Sequence, residues 1–201
     1  REIKIEDLLG RDEITINMEE ISNFLSGKRV MVTGGAGSIG SELSRLISSF
    51  PIEQIIVLDS AETPLHNIQL ELTDREKGKD GFSAEEFNKK YNFVIADVRD
   101  VARIEKVFEA YKPQIVFHAA AYKHVPLMEA NPCEAINANV MGSRNVADMA
   151  VKYGVEKMVM VSTDKAVNPT NVMGCSKRLA EIYVQTLSRA IISGEIEGKT
   201  K

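Results

Sequence analysis

Gly34, Gly37 and Gly40 fall at G-x-x-G-x-x-G spacing in Thr33-Gly34-Gly35-Ala36-Gly37-Ser38-Ile39-Gly40, directly after the apolar run Val30-Met31-Val32. A tight strand-to-helix turn needs glycine where φ is positive and where backbone must touch a pyrophosphate. The helix that follows, opening at Ser38 and Ile39, offers free N–H groups and a partial positive charge to the phosphates. Alone, such a loop could be a mere turn; set between a strand and a helix it reads as a dinucleotide cradle. Asp59 ends the next apolar run, about 20 residues further on, where a carboxylate can bind both ribose hydroxyls. Its charge repels the extra phosphate of NADP and no arginine sits beside it, so NAD is favoured over NADP. Asp59 with Ser60 could instead cap the following turn. Asp97-Val98 closes the third run, where the adenine edge would lie, and Asp97 reads equally well as a strand-end cap.

A second constellation lies further along the chain. Thr163-Asp164-Lys165 ends the fifth apolar run, at the carboxyl edge where α/β sheets place their ligands. Lys177 follows Met173 by four residues, so on a helix both lie on one face and can point at the cofactor. The bland alternatives are an Asx-type turn at Thr163-Asp164 and a helix-face charge at Lys177. Lys123 and His124 follow the fourth run and would face the nicotinamide side; a lone histidine is more often structural than catalytic. Tyr122 could be packing.

These residues need a scaffold, and the hydrophobic pattern supplies one. Near-continuous apolar runs at Arg29–Thr33, Ile55–Leu58, Phe93–Ala96, Ile115–His118 and Lys157–Val161 predict parallel strands covered on both faces. Helical spacing falls between them at Ser38–Phe50, Pro64–Lys77, Val101–Tyr111 and Pro132–Tyr153, and a last helix at Cys175–Ile192. Asn131-Pro132 with Glu134 is expected to open the fourth of these as a capping box, and Gly154 to end it. Such alternation predicts an α/β, Rossmann-type doubly wound parallel sheet over residues 28–201, with residues 1–27 wrapping its edge.

With 201 residues there is enough chain for one domain, and a net charge of -4 sets up no field for nucleic acid or anionic membrane. Cys133 and Cys175 have no metal-ligand spacing and read as reduced thiols of a cytoplasmic protein, with no metal called. No apolar stretch of about 18 residues exists to span a membrane. An Arg start and the polar finish at residues 195–201 are expected of an excised segment.

Thr33–Gly40 resembles the T-G-x-x-G-x-x-G signature of extended short-chain dehydrogenases/reductases. His118-Ala119-Ala120-Ala121 is similar to their cofactor-side motif after the fourth strand, and Asn139 falls at their helix asparagine. Ala121–Glu129 and Ser162–Gly174 look like the CapD-like polysaccharide-biosynthesis branch, which includes UDP-N-acetylglucosamine 4,6-dehydratases. The resemblance runs from Ile3 onward and takes in Asp7–Arg11, a segment that in long members follows an N-terminal membrane domain. It implies a UDP-sugar substrate, NAD, and an internal redox elimination in which the sugar is oxidised at C4, loses the C5 proton and water from C6, and is reduced at C6.

On that resemblance Thr163 would hold the C4 oxygen, Asp164 would protonate the departing C6 hydroxyl, Lys165 would take the C5 proton and Lys177 would bind nicotinamide ribose. Asp164 should then be raised in pKa by burial or a nearby negative charge, and Lys165 should need desolvation or a cation to be neutral. Met173 departs from the superfamily, which has tyrosine there as the C4 base. Methionine has no acidic proton, so the O4 proton must pass through Asp164, Thr163 or a water. Members often pair through helices, here Val101–Tyr111 and Pro132–Tyr153, and hold the nucleotide sugar in a C-terminal domain beyond Lys201. The segment alone is therefore expected to bind NAD and turn over poorly. A nucleotide-sugar 4-epimerase is the second reading, which Asp164-Lys165 opposes; a catalytically inactive nucleotide-binding module is the third, which only Met173 favours.

Overall fold

A parallel strand covered on both faces must be apolar at successive positions, not alternate ones. Val30-Met31-Val32 and Ile55-Ile56-Val57-Leu58 meet that condition, and all are buried. They form the centres of β1 (Arg29–Thr33) and β2 (Gln54–Asp59) in a computed structural model that describes residues 17–78, 80–81, 83–198 and 200. β3 (Tyr91–Ile95), β4 (Ile115–His118) and β5 (Lys157–Met160) complete a five-stranded sheet of order β3-β2-β1-β4-β5. Every pairing is parallel. The order reverses between β1 and β4, which opens a crevice at the carboxyl ends of those strands.

Alternate residues of each strand feed opposite cores. Val30, Val32, Ile55, Val57 and Ile115 pack on one face against Ile47 of α2 (Ser38–Ser48) and Leu65, Ile68 and Leu72 of α3 (Glu62–Lys77). Met31, Ile56, Leu58 and Val116 pack on the other against Ile104, Val107 and Phe108 of α5 (Val101–Tyr111) and Val146 and Ala150 of α8 (Gly142–Lys152). Each of these Val, Leu, Ile, Met and Phe side chains contributes about 1.5–3 kcal/mol by burial. The molecule is thus the Rossmann-type doubly wound sheet that the pattern implies.

α1 (Met18–Leu25) stays out of the sheet and sends Leu25 and Ile21 into the first core, its N-terminus capped by the Asn17 side chain. The expected wrapping before Asn17, including Asp7–Arg11, lies outside the described residues. Among the described residues no helix is long and apolar enough to cross a membrane.

Three local readings need correction. β3 starts two residues earlier than expected, because α4 (Ala84–Lys90) delivers the chain at Tyr91, whose ring stacks on Phe87. The helix expected at Pro132–Tyr153 is three pieces: α7 (Pro132–Ala135), a π turn (Ile136–Met141) and α8. Its capping box is not formed; Asn131 donates instead to Leu127 O, in α6 (Val125–Ala130), and Glu134 pairs with Arg99. Gly154 does follow the last turn at φ 68, as a C-terminal glycine should. The last helix, α9 (Val172–Ile192), begins three residues early because the Asn171 side chain accepts from Gly174 N at 2.8 Å.

Candidate functional site

The glycine loop joins β1 to α2 across the mouth of the crevice. Gly34 takes φ 67, and a Cβ there would lie 2.5 Å from Ala120 N, so the loop and the segment after β4 touch backbone to backbone. Gly37 stands at the N-cap of α2 with no side-chain cap, and Gly40 is buried in the first turn. The opening N–H groups of α2 are left for an anion. Asp59 accepts from Ala36 N at 3.0 Å and from Ala61 N at 2.9 Å, so it caps the turn while lining the groove.

A groove of about 320 Å³ runs from Asp59 past Gly34 and Gly37 to Asp97, Val98 and Ala119–Tyr122. Asp97 is likewise both a lining residue and a cap, accepting from Arg99 N at 2.9 Å. Arg99 also lines this groove. Its guanidinium is bound by Asp97 and Glu134, and it holds the Asp97 carboxyl below its ordinary value.

Ala119, Ala121 and Tyr122 also line a second cavity of about 320 Å³, so the two adjoin across this segment. Ile39, Lys123, Thr163, Lys165, Met173 and Lys177 surround the second cavity. Lys123 Nζ donates to Ser38 Oγ at 3.0 Å, bridging the α2 N-terminus to the segment after β4. Lys177 is 5 % exposed, donates to Val161 O at 2.7 Å, and is pushed down in pKa by burial. Met173, one turn earlier, is buried against Met128 and Ala135 and presents no proton acceptor. Glu181, one turn later, accepts from Ser162 Oγ; the sequence reading passed over it, although its i+4 spacing from Lys177 puts it on the same face. His124 is exposed and lines neither cavity.

Asp164 contradicts its expectation. Its side chain is 86 % exposed, and its pKa is lowered by the Thr163 hydroxyl and then by Lys165. Thr163 Oγ1 donates to Asp164 Oδ1 at 2.9 Å, and Lys165 Nζ stands 3.4 Å from the same oxygen. The carboxylate is therefore ionised at rest, and the Lys165 amine has an anion beside it rather than a cation.

A family model described as polysaccharide biosynthesis protein matches residues 30–197. The chain belongs to this family. It is 46% identical to the capsular polysaccharide biosynthesis protein CapD of Staphylococcus aureus over 188 residues, 94% of this chain and 30% of CapD. It is 43% identical to a UDP-glucose 4-epimerase of Rickettsia canadensis over 77% of this chain and 42% of that protein. Among solved structures, Pen from Bacillus thuringiensis superposes with a TM-score of 0.74 at 28% identity, covering 89% of this chain and 49% of Pen. The Thermus thermophilus UDP-glucose 4-epimerase, solved with NAD, gives 0.58 at 26%, covering 82% and 51%. The chain thus spans less than half the length of these curated relatives.

Beneath the groove this member of the polysaccharide-biosynthesis family carries a buried polar relay. Asn139, in the π turn, accepts from Tyr122 N at 2.7 Å and donates to Tyr122 O and Ser176 Oγ, tying the groove wall to α9. Ser143 Oγ donates to Asn139 O, so it can only accept from His118 Nε2 at 2.9 Å. His118 Nδ1 then accepts from Thr33 Oγ1 at 2.6 Å, which fixes a neutral tautomer. Burial first, and the Lys177 charge second, push this imidazole down to about 3. Because that lies below the unfolded value of about 6.5, protonation favours the unfolded chain: stability is full above about 6.5 and is lost as pH falls towards 3. Urea unfolding at about pH 5 should show ~2 kcal/mol less stability from this group than at about pH 7.5. His118→Gln should lack that part of the pH dependence, and identical pH slopes in both proteins would refute it.

Proposed function

We propose that this chain forms the cofactor groove and reacting edge of an NAD-dependent nucleotide-sugar 4,6-dehydratase, acting on UDP-N-acetylglucosamine in bacterial surface-polysaccharide synthesis. One observation carries the reading. Two adjoining cavities share Ala119, Ala121 and Tyr122 as a wall, with Asp59 in one and Thr163, Lys165, Met173 and Lys177 in the other. The Gly34–Gly40 loop with the α2 amides suits a pyrophosphate, Asp59 a ribose without a 2′-phosphate, and Lys177 and Lys123 the nicotinamide half. Bound there, NAD would take a hydride from sugar C4 and return it at C6.

Thr163 Oγ1 holds the sugar O4 and, with Met173 unable to act as base, takes its proton while passing its own to Asp164 Oδ1. Asp164 is thus loaded by the substrate and needs no proton beforehand, which agrees with its lowered pKa. Its neutralisation removes the anion beside Lys165, whose ammonium releases a proton to solvent; the free amine then takes the C5 proton, later restores it and regains its own from solvent. Asp164 then protonates the departing C6 hydroxyl as water, and every side chain ends as it began.

A second reading, nucleotide-sugar 4-epimerase, is favoured by the likeness to the Rickettsia canadensis enzyme. Epimerisation uses Thr163 and Lys177 but has no work for a C5 base. Mass spectrometry of UDP-N-acetylglucosamine incubated with NAD and the full-length protein should show loss of one water. An epimerised sugar of unchanged mass would move the assignment to the second reading. Across pH, kcat/KM should fall in acid as Asp164 is protonated; a fall on the alkaline side of its pKa would mean a preloaded acid instead.

A further inference from the structure

Arg99 makes four side-chain hydrogen bonds at the groove, and neither a strand end nor a glycine loop requires it. Its Nε and one terminal nitrogen fork onto the Asp97 carboxylate, at 2.9 and 2.6 Å to Oδ2. The other terminal nitrogen donates to Glu134 Oε2 at 2.8 Å, and Glu134 lies on α7. The guanidinium carbon stands 5.9 Å from the centre of the Tyr122 ring. Tyr122 is fixed in turn through its backbone N and O by Asn139. Arg99 therefore ties together the end of β3, the start of α7 and the segment that the two cavities share. It does so while lining the cavity that contains Asp59.

An ordinary surface ion pair is mobile and contributes little. Here a planar fork is anchored on two carboxylates and backed by an aromatic ring, a geometry that lysine cannot reproduce. It also arrives with two anions, Asp97 and Glu134, so it adds no net positive charge to the groove. Its contribution to a ligand is shape and a flat hydrogen-bonding surface rather than attraction for phosphate.

We infer that Arg99 is a clamp for the nucleoside end of the dinucleotide, closing the Asp59 cavity between Asp97 and Tyr122 and holding Asp97 in place to meet the base. This rests on the NAD reading above, and deepens it by assigning a binding residue outside the glycine loop and Asp59.

Calorimetric titration of the full-length protein with NAD, and separately with ADP, tests the inference without any turnover. Arg99→Met is expected to weaken both ligands by about tenfold, the loss of a charge-assisted contact. The two fold-changes should match, because ADP carries the whole nucleoside end. Arg99→Lys should behave like Arg99→Met, since the charge returns without the fork. Glu134→Gln, which removes one anchor at the exposed rim, should weaken both ligands by a few fold and leave the thermal transition in place. Wild-type affinity for ADP in Arg99→Met would overturn the clamp, and so would full rescue by Arg99→Lys, which would make Arg99 a simple cation for the phosphates. Weak binding only in variants that have lost their thermal transition, with Glu134→Gln binding as wild type, would overturn it too. Absence of NAD and ADP binding by the wild-type protein would instead defeat the NAD reading itself.

Discussion

Lys165→Met is expected to slow water loss from UDP-N-acetylglucosamine by about 10²–10⁴-fold, the usual contribution of a positioned acid or base. The side chain lines the cavity with Thr163, Met173 and Lys177, and its amine is 3.4 Å from the Asp164 oxygen that would receive the substrate proton. Methionine keeps the length and the apolar stem and removes the nitrogen. The side chain is half exposed, so the fold and the affinity for NAD should be unchanged. In heavy water the wild-type enzyme should place deuterium at C5, and the variant should not. Turnover within tenfold of wild type would remove Lys165 from the role of C5 base. If the protein were an epimerase, the same variant would epimerise at nearly the wild-type rate, so one substitution separates the two chemistries.

The parts of this molecule that follow from local rules were legible in its sequence. Doubly covered strands need unbroken apolar runs, and those at Val30–Val32, Ile55–Leu58 and Ile115–Phe117, set between helical segments, fall in β1, β2 and β4. The glycine loop between a strand and a helix has a backbone requirement that only glycine meets, so Gly34, Gly37 and Asp59 could be placed in one groove before any coordinates. Lys177 was placed by its resemblance to the family's Y-x-x-x-K motif, and helical spacing put it on the same face as Met173.

What escaped the sequence depends on contacts between distant segments. Arg99 looks like a loop cation until Glu134 and Tyr122 are brought to it. The π turn at Ile136–Met141 has no compositional mark, and it is what places Asn139 against Tyr122 and Ser176. Asp164 was misjudged for a related reason. A role as acid suggests a raised pKa, but the local chain answers first: a one-turn helix at Asp164–Ala166, capped by Thr163, surrounds the carboxylate with donors. In the mechanism proposed above, its proton would come through the Thr163 hydroxyl at 2.9 Å.

Gly34→Ala should abolish detectable NAD binding, a loss of about 100-fold or more, because two costs fall on one spot. At φ 67 an alanine is strained by about 1–2 kcal/mol. Its Cβ would also stand 2.5 Å from Ala120 N and 2.6 Å from Ala120 Cα, where no flexible side chain can yield. Relief requires the glycine loop and the segment after β4 to part, and both line the groove proposed for the cofactor. Gly154→Ala isolates the first cost. That glycine has φ 68, nearly the same strain, but nothing lies within 4 Å of its added Cβ, and it is far from the groove in the turn after α8. Both variants should lower the thermal midpoint by a few degrees, at about 2–4 °C per kcal/mol for a chain of this size. Only Gly34→Ala should lose NAD in a direct titration. Equal and undiminished affinity in the two variants would mean that this loop is a structural turn and that the cofactor, if bound, lies elsewhere.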